Sequence, residues 1–275
     1  VDGMVQDTDV CQTKFDLMKD VPTCENERDG SCLSMKQKRA IAPIFSGATT
    51  SDGKPFYASF PFDTGLSGSG VKNWEFSAPI KLDSGAVGFI WAVPPQNPKG
   101  FNGENFVLNG SIDAMLDSLY ATNDKFTESA IEFMTPPNAV DMSRVRERGG
   151  KIMVYHGVSD PIFSIDDTKT WYNGVQVTSA GNASDFARLF PIPGMDHCRA
   201  GRSTDQFDAI TSLVKWVEQG KAPDSIIASA RGAGNPGGQN KDLPADWSPN
   251  RTRPLCAYPA VATYKGSGNI DDASN

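Results

Sequence analysis

The sequence predicts a mixed α/β fold, and three observations in its second half predict it. After Gly149-Gly150 the chain reads strand, turn, helix, strand, turn, helix, the alternation of a parallel sheet covered by helices. Lys151 to Tyr155 and Phe186 to Ile192 are compact β-type runs. Each run gives way to polar side chains at its end, where the strands of an open α/β sheet present chemical groups.

Taken in order, residues 1–34 are rich in Asp, Asn and Cys and show little periodicity, so they read as a loop region organised by ligands and disulfides. Ser34-x-x-Gln37 has the form of a capping box and predicts a short helix that Pro43 and Gly47 end. From Ser46 to Gly110 the composition of Gly, Ser, Pro, Asn and scattered aromatics predicts irregular structure, a lid or inserted cap. Residues 111–148 read as helix in two pieces, broken at Pro136-Pro137. A helix follows the first strand over Ser164 to Tyr172. Thr204-Asp205 is expected to cap a last one, whose Phe207, Ile210, Leu213, Val214 and Val217 share a face and which Gly220 stops. The tail from Ala230 reads as a surface wrap that becomes ordered again over Arg253 to Tyr264. The domain boundary is placed near 140, dividing residues 1–139 from 140–275.

The 275 residues are 39% hydrophobic and carry a net charge of −7. That is enough to bury a core of one or two domains, and it offers no basic field to recruit nucleic acid or an anionic membrane. No apolar stretch approaches the ~18 residues of a membrane span. Val1 to Asp7 contains no initiator methionine and no signal-peptide pattern, so the chain is expected to start inside a larger sequence. Five cysteines, at 11, 24, 32, 198 and 256, leave one over. Cys24 and Cys32 flank a loop, Glu25 to Ser31, too hydrophilic to bury, which favours a disulfide and an oxidising compartment over two reduced core thiols.

His156 and His197 are the only histidines, which narrows the search for a base active near neutral pH. His197 follows the second β-type run and a Pro-Gly bend, and Asp160 follows the first by a few residues. This is the setting of the acid and base of a Ser-Asp-His triad. Singly, Asp160 could be a helix N-cap and His197 a satisfied turn residue; as an ordered pair they point to hydrolysis. Asp196 and Asp185 are rival acids, and Asp166 and Asp167 read as first-turn helix residues. His156, in line with Asp160, is expected to border the site as a second polar wall or simply to pack. No Gly-x-Ser-x-Gly pattern occurs; Gly65-Leu-Ser-Gly-Ser69 fails at its last position. Since α/β-hydrolases run Ser, acid, His, the nucleophile is expected upstream of Val1.

Tyr155-His-Gly-Val-Ser-Asp-Pro-Ile-Phe-Ser164, Phe186 to Cys198 and Arg253-Pro-Leu-Cys-Ala-Tyr-Pro with Tyr264-Lys-Gly-Ser-Gly268 resemble the tannase/feruloyl esterase family, which also contains a bacterial hydrolase of terephthalate monoesters. The resemblance runs from Val1 to the last residues. It implies an α/β-hydrolase core, here its C-terminal part, with a large irregular lid domain. Asp160 and His197 match the family's triad acid and base. Cys198 matches a cysteine paired with the residue before the nucleophilic serine, Cys24 and Cys32 match a lid disulfide, and Cys11 and Cys256 match cysteines whose partners lie just outside this sequence. Val1-Asp2-Gly3-Met4 looks like the end of the family's calcium loop, with the Asp2 carboxylate and the Met4 carbonyl as ligands of a structural Ca2+; by itself Asp-Gly is only a turn signal. Trp74 and Phe163 fall where relatives contact an aromatic acyl group, though both could equally be core residues. The terephthalate-ester hydrolase pairs its substrate's carboxylate with a lid arginine, and between Ser77 and Pro94 this sequence has none.

The expectation is a secreted or periplasmic serine carboxylesterase for esters of aromatic acids such as gallate or hydroxycinnamate, with the upstream segment supplying the serine. A terephthalate monoester hydrolase, a catalytically silent calcium-stabilised protein that binds aromatic ligands, and a natural cleavage product joined to an N-terminal partner chain are the rivals. Asn109, Asn182 and Asn250 begin glycosylation sequons, informative only on a eukaryotic secretory route.

Overall fold

Two parallel strands carry the core of the α/β part of the chain. In the computed structural model, which describes residues 2–25 and 30–275, β1 (Ile152–Gly157) pairs in parallel with β2 (Ala187–Ile192), in register from Ile152 opposite Ala187 to Gly157 opposite Ile192. A second sheet pairs β3 (Ser225–Ser229) antiparallel with β4 (Thr252–Cys256). β2 is buried on both faces, as period-two geometry and parallel pairing require. Ala187 and Leu189 pack with Ile165, Tyr172, Val175 and Phe186, while Phe190 and Ile192 pack with Met195, Ile226, Ala228 and Leu255. Each of the large side chains among them contributes about 1.5–3 kcal/mol by leaving water.

The helix between the two parallel strands, Ile165–Thr178, forms for reasons visible in its first turn. The Ser164 side chain accepts the Asp166 amide at 3.0 Å, and Asp166 and Asp167 place negative charge at the positive end of the helix dipole. Its Ile165, Tyr172 and Val175 are buried. At Gly174 a β-carbon would stand 2.6 Å from the Val140 side chain, so this helix approaches its neighbour too closely for any larger residue.

The Gly220 stop is present, left-handed at φ 68°, at the end of the helix Ala209–Gln219. Its N-cap differs from the Thr204-Asp205 expected: Asp208 caps by accepting the Thr211 amide. Asp205 is instead paired with Arg231 at 2.6 Å, and Thr204 is buried. The Ser34–Gln37 capping box starts the helix Met35–Ser46, with Pro43 inside it and Gly47 after it. Residues 1–34, expected to be loop, also hold helices at Thr8–Lys14 and Leu17–Asp20, capped by Asp7 and Asp16. The disulfide Cys24–Cys32 is formed; residues 26–29 of the loop it closes, like Val1, lie outside the described residues.

The chain divides into two compact units, which change over at 48/49, 56/57, 71/72 and 139/140. One comprises Val1–Ala48, Tyr57–Val71 and Val140–Asn275; the other comprises Thr49–Phe56 and Lys72–Ala139. Much of the N-terminal segment therefore belongs with the α/β residues. Helix Thr8–Lys14, for example, is held through Thr8 and Asp9, which accept the amine of Lys169 on the helix Ile165–Thr178 at 2.9 and 2.6 Å. The stretch expected to be irregular holds π-helical turns at Pro79–Asp83 and Ala86–Ile90 and the helix Gly103–Asn109, and the helices Ile112–Tyr120 and Ala130–Met134 follow where helix was expected. A further short helix, Ser143–Glu147, leads into β1. Among the described residues no helix is long and apolar enough to cross a membrane.

Candidate active site

Both parallel strands end beside one another, and the residues that follow them meet. Gly157 closes β1 so near the other loop that a β-carbon there would lie 2.4 Å from the Met195 carbonyl oxygen, so only glycine fits. The Val158 amide then donates to the Ile192 carbonyl and the Ser159 amide to that of Met195. Asp160 is thereby delivered to the strand end, buried, with its Oδ1 accepting the amides of Ile162 at 2.9 Å and Phe163 at 3.1 Å. Its Oδ2 accepts His197 Nδ1 at 2.8 Å.

Because a carboxylate only accepts, His197 Nδ1 carries the proton of the neutral ring, and Nε2 holds the lone pair a general base needs. The Asp160 carboxyl is exposed to opposing influences. Burial raises its pKa, but the nearby His156 side chain and hydrogen bonds from His197 and the two amides outweigh burial and hold it below the ordinary carboxylate value. It is thus an anion suited to orient His197 and to stabilise its imidazolium.

The loop that presents His197 is unusual in backbone. Gly194, Cys198, Ala200 and Gly201 all have positive φ, between 63° and 73°, which for Cys198 and Ala200 is a strained conformation. Fixed acceptors and donors hold it. Asp63 Oδ2 accepts the Gly194 amide at 3.0 Å, Asp205 accepts that of Ala200 at 2.7 Å, and Asn240 donates to the Gly201 carbonyl at 2.8 Å. Asp63 and Asn240 were not singled out from the sequence, being distant along the chain and in no motif, and Asp205, five residues from Ala200, was read only as a helix cap.

The other expected site residues are placed as follows. The Phe163 ring is 57% exposed and centred 5.7 Å from the His197 imidazole. His156 lies on β1, but both its nitrogens have internal partners, Nε2 donating to the Phe163 carbonyl and Nδ1 pairing with the Thr168 hydroxyl, each at 2.8 Å. Its Nε2 is 3.6 Å from the same Asp160 oxygen that His197 engages. Trp74 is on the helix Ser69–Phe76, in the second unit. Asp196 turns away from the triad role: its Oδ1 accepts the His197 main-chain amide at 2.7 Å, and burial pushes its pKa up. Cys198 is exposed and free, as are the partly buried Cys11 and Cys256, whose thiol pKa values burial raises.

Asp2 and Met4 would supply only two of the oxygens of a calcium site. Calcium takes six to eight oxygen ligands, whereas Asp2 is paired with Arg253 at 3.1 Å and accepts the Met4 amide. Among the described residues no group of three or more His, Cys, Asp or Glu could hold a metal ion. A calcium ion held by Asp2 and Met4 would need its remaining ligands from elsewhere.

The chain is similar to proteins described as ester hydrolases. A protein of Piscinibacter sakaiensis described as mono(2-hydroxyethyl) terephthalate hydrolase is 34% identical over the whole of this chain and 47% of its own length. A probable feruloyl esterase B-1 of Neosartorya fischeri is 28% identical over 99% of the chain and 49% of its own length. The chain thus spans about half the length of the curated relatives it matches. Among solved structures, an esterase from Aspergillus oryzae superimposes with a TM-score of 0.71 at 23% identity, over 99% of this chain and 51% of that one, and feruloyl esterase B from the same organism with 0.68 at 22%, over 99% and 52%. The family model described as tannase and feruloyl esterase matches residues 1–275, and the chain belongs to that family.

Proposed function

We propose that this chain is the C-terminal part of an α/β-hydrolase-type serine carboxylesterase acting on esters of aromatic acids, with Asp160 and His197 as acid and base and the serine outside this sequence. The observation that carries the proposal is the 2.8 Å bond from His197 Nδ1 to an anionic Asp160 at the ends of two adjacent parallel strands. In this reading His197 takes the proton of the serine hydroxyl as the oxygen attacks the ester carbonyl. It then gives that proton to the leaving alkoxide, and repeats the cycle with water on the acyl-enzyme. Asp160 stays ionised throughout.

Completion by further chain is supported by the surface that these residues leave. Tyr155 on β1 and Ile210, Val214 and Val217 along one face of the helix Ala209–Gln219 are exposed, and such a stripe normally packs against another element. Phe163, exposed beside His197, would supply a ring face for an aromatic acyl group, and a substrate role for Trp74 of the proposed lid rests on the family resemblance alone. His156, with both nitrogens satisfied, would contribute a polar wall by its position alone. A structural calcium at Asp2 and Met4 rests on the family resemblance and enters no step. The formed Cys24–Cys32 disulfide supports a secreted or periplasmic protein.

A terephthalate monoester is the second reading, favoured by the 34% identity to the Piscinibacter hydrolase. The lack of an arginine between Ser77 and Pro94 weighs against it and favours gallate or hydroxycinnamate esters. Assay of the full-length protein on methyl gallate, methyl ferulate and a terephthalate monoester decides: turnover of either phenolic ester with little of the monoester is expected. Turnover of none would remove the enzyme reading and leave a binding protein.

A further inference from the structure

Asp63 is a carboxylate that the proposed chemistry does not use, and its surroundings are specific. It lies in extended backbone just before the short 3-10 turn Thr64–Ser67, with Oδ1 accepting the Gly65 amide at 3.1 Å and the Thr64 hydroxyl at 3.3 Å. Its Oδ2 accepts the Gly194 amide at 3.0 Å. Burial raises its pKa while the two amides oppose that, so the carboxyl has been taken out of water to make these contacts.

The turn it caps is wedged between the two loops of the site. A β-carbon on Gly65 would fall 2.3 Å from the Gly194 carbonyl oxygen and 2.4 Å from the Ser159 hydroxyl. Ser159, fully buried, immediately precedes Asp160. Gly194 opens the stretch 194–201 with its four positive-φ residues, which ends four residues beyond His197. The backbone of Gly65 therefore touches both loops at once, and Asp63 fixes that backbone and one of the loops through a single carboxylate.

We infer that Asp63 is a positioning residue that sets the spacing of the Asp160 and His197 loops, acting through Gly65 and Gly194 without touching substrate. The inference rests on the esterase reading above for its kinetic consequence, but not for its geometric one. Strained loops persist only where their surroundings over-determine them, and a misplacement of about 1 Å in a catalytic group costs on the order of 100-fold in rate. Loss of the Asp63 carboxylate releases the start of the His197 loop and lengthens the Asp160–His197 bond.

The test uses the full-length protein. Asp63→Ala is expected to lower kcat by roughly 10- to 100-fold with KM within about threefold, and to shift or broaden the downfield proton NMR signal of His197 Nδ1–H. Gly65→Ala, which forces the loops apart from the other side, should give the same pair of effects, so the proposal does not depend on one variant folding. Lys38→Met is the control for plain destabilisation: Lys38 is buried far along the chain from these loops and holds Met18 and Thr23, so its loss should lower the melting temperature and leave kcat per folded molecule unchanged. Folded Asp63→Ala with wild-type kcat and an unmoved His197 signal would overturn the inference. If the wild type shows the His197 signal but hydrolyses no ester, the enzyme reading fails, and the response of the signal to Asp63→Ala still decides the positioning role.

Discussion

The two compact units hold their side chains on different terms. In the first, β2 has fully buried residues on both faces, and the helix Ile165–Thr178 sends Ile165, Tyr172 and Val175 into the same core. In the second, Phe76, Leu82, Ile90, Leu108, Ile112 and Tyr120 are all exposed, and the helices Gly103–Asn109 and Ile112–Tyr120 bury no residue. The difference teaches where rigidity is needed. A hydrogen bond that must hold an imidazole and a carboxylate in register requires a core that does not yield. A surface that meets an apolar ring can leave its side chains in water until it does.

The largest expected effect tests whether the chemistry belongs to the first unit. In the full-length protein, His197→Ala and Asp160→Asn should each lower kcat by about 10³- to 10⁵-fold with folding intact, because the base or its orienting anion is gone. Trp74→Ala in the second unit should act mainly on KM, by about tenfold, the loss of one aromatic contact. Steady-state kinetics on the ester that the panel selects measure both. Equal losses of kcat at His197 and Trp74 would dissolve the distinction between the units.

Core truncations sharpen it next. Phe190, fully buried on β2, should cost about 3–5 kcal/mol as Phe190→Ala. Leu108, 64% exposed, should cost less than about 0.5 kcal/mol as Leu108→Ala. Urea unfolding at constant m-value reads both.

How far the sequence reached follows the same division. Compact β-type runs and first-turn acids made β1, β2 and the helix between them legible, because each of these signals is local and the core obeys it. The Asp160–His197 pairing was legible for the same reason: both residues stand where an identifiable strand ends. Residues 46–110 were read as irregular because glycine, proline and asparagine dominate their composition, yet short helices form there, one capped by Asn102, whereas the helix Ile112–Tyr120 lies in the stretch read as helical. Strand β3 was missed since Ser225 to Ser229 is brief and pairs with a segment more than twenty residues later. The supports of the His197 loop were out of reach altogether. Asp63 lies 131 residues from the Gly194 it holds, and no local pattern encodes such a contact.

Acid titration separates two neighbouring carboxyls by sign. Asp160 has a lowered folded pKa, so its contribution to stability is present above the unfolded value, near 3.9, and is lost as pH falls through the folded one. Asp196 has a raised pKa, so the native state binds the extra proton and stability declines as pH rises from the unfolded value through the folded one. Asp160→Asn should therefore be more destabilising at about pH 7 than at about pH 3, and Asp196→Asn relatively less so. Urea midpoints across that range give the two slopes. Slopes of the same sign would contradict the assignment of Asp160 as the anionic partner.

The smallest effects compare one motif in two settings. Ser34 with Gln37 and Ser129 with Glu132 are both complete capping boxes, each serine accepting the N3 amide and each N3 side chain accepting the serine amide. In isolation either serine-to-alanine change costs about 0.5–2 kcal/mol. The helix Met35–Ser46 is twelve residues long and keeps a second anchor in Lys38, whose amine donates to the Met18 carbonyl and the Thr23 hydroxyl at 2.9 Å each. The helix Ala130–Met134 has five residues, too few to persist on propensity alone, although Ala130 is buried. Ser34→Ala should thus lower global stability by about 1 kcal/mol while amide exchange along its helix stays governed by global unfolding. Ser129→Ala should leave the global midpoint nearly unchanged and instead speed exchange of the amides from 133 to 135, since the cap there is a large share of what keeps that turn closed. Exchange followed by mass spectrometry distinguishes the two, and a global loss at Ser129 would show that the second unit is as cooperatively held as the first.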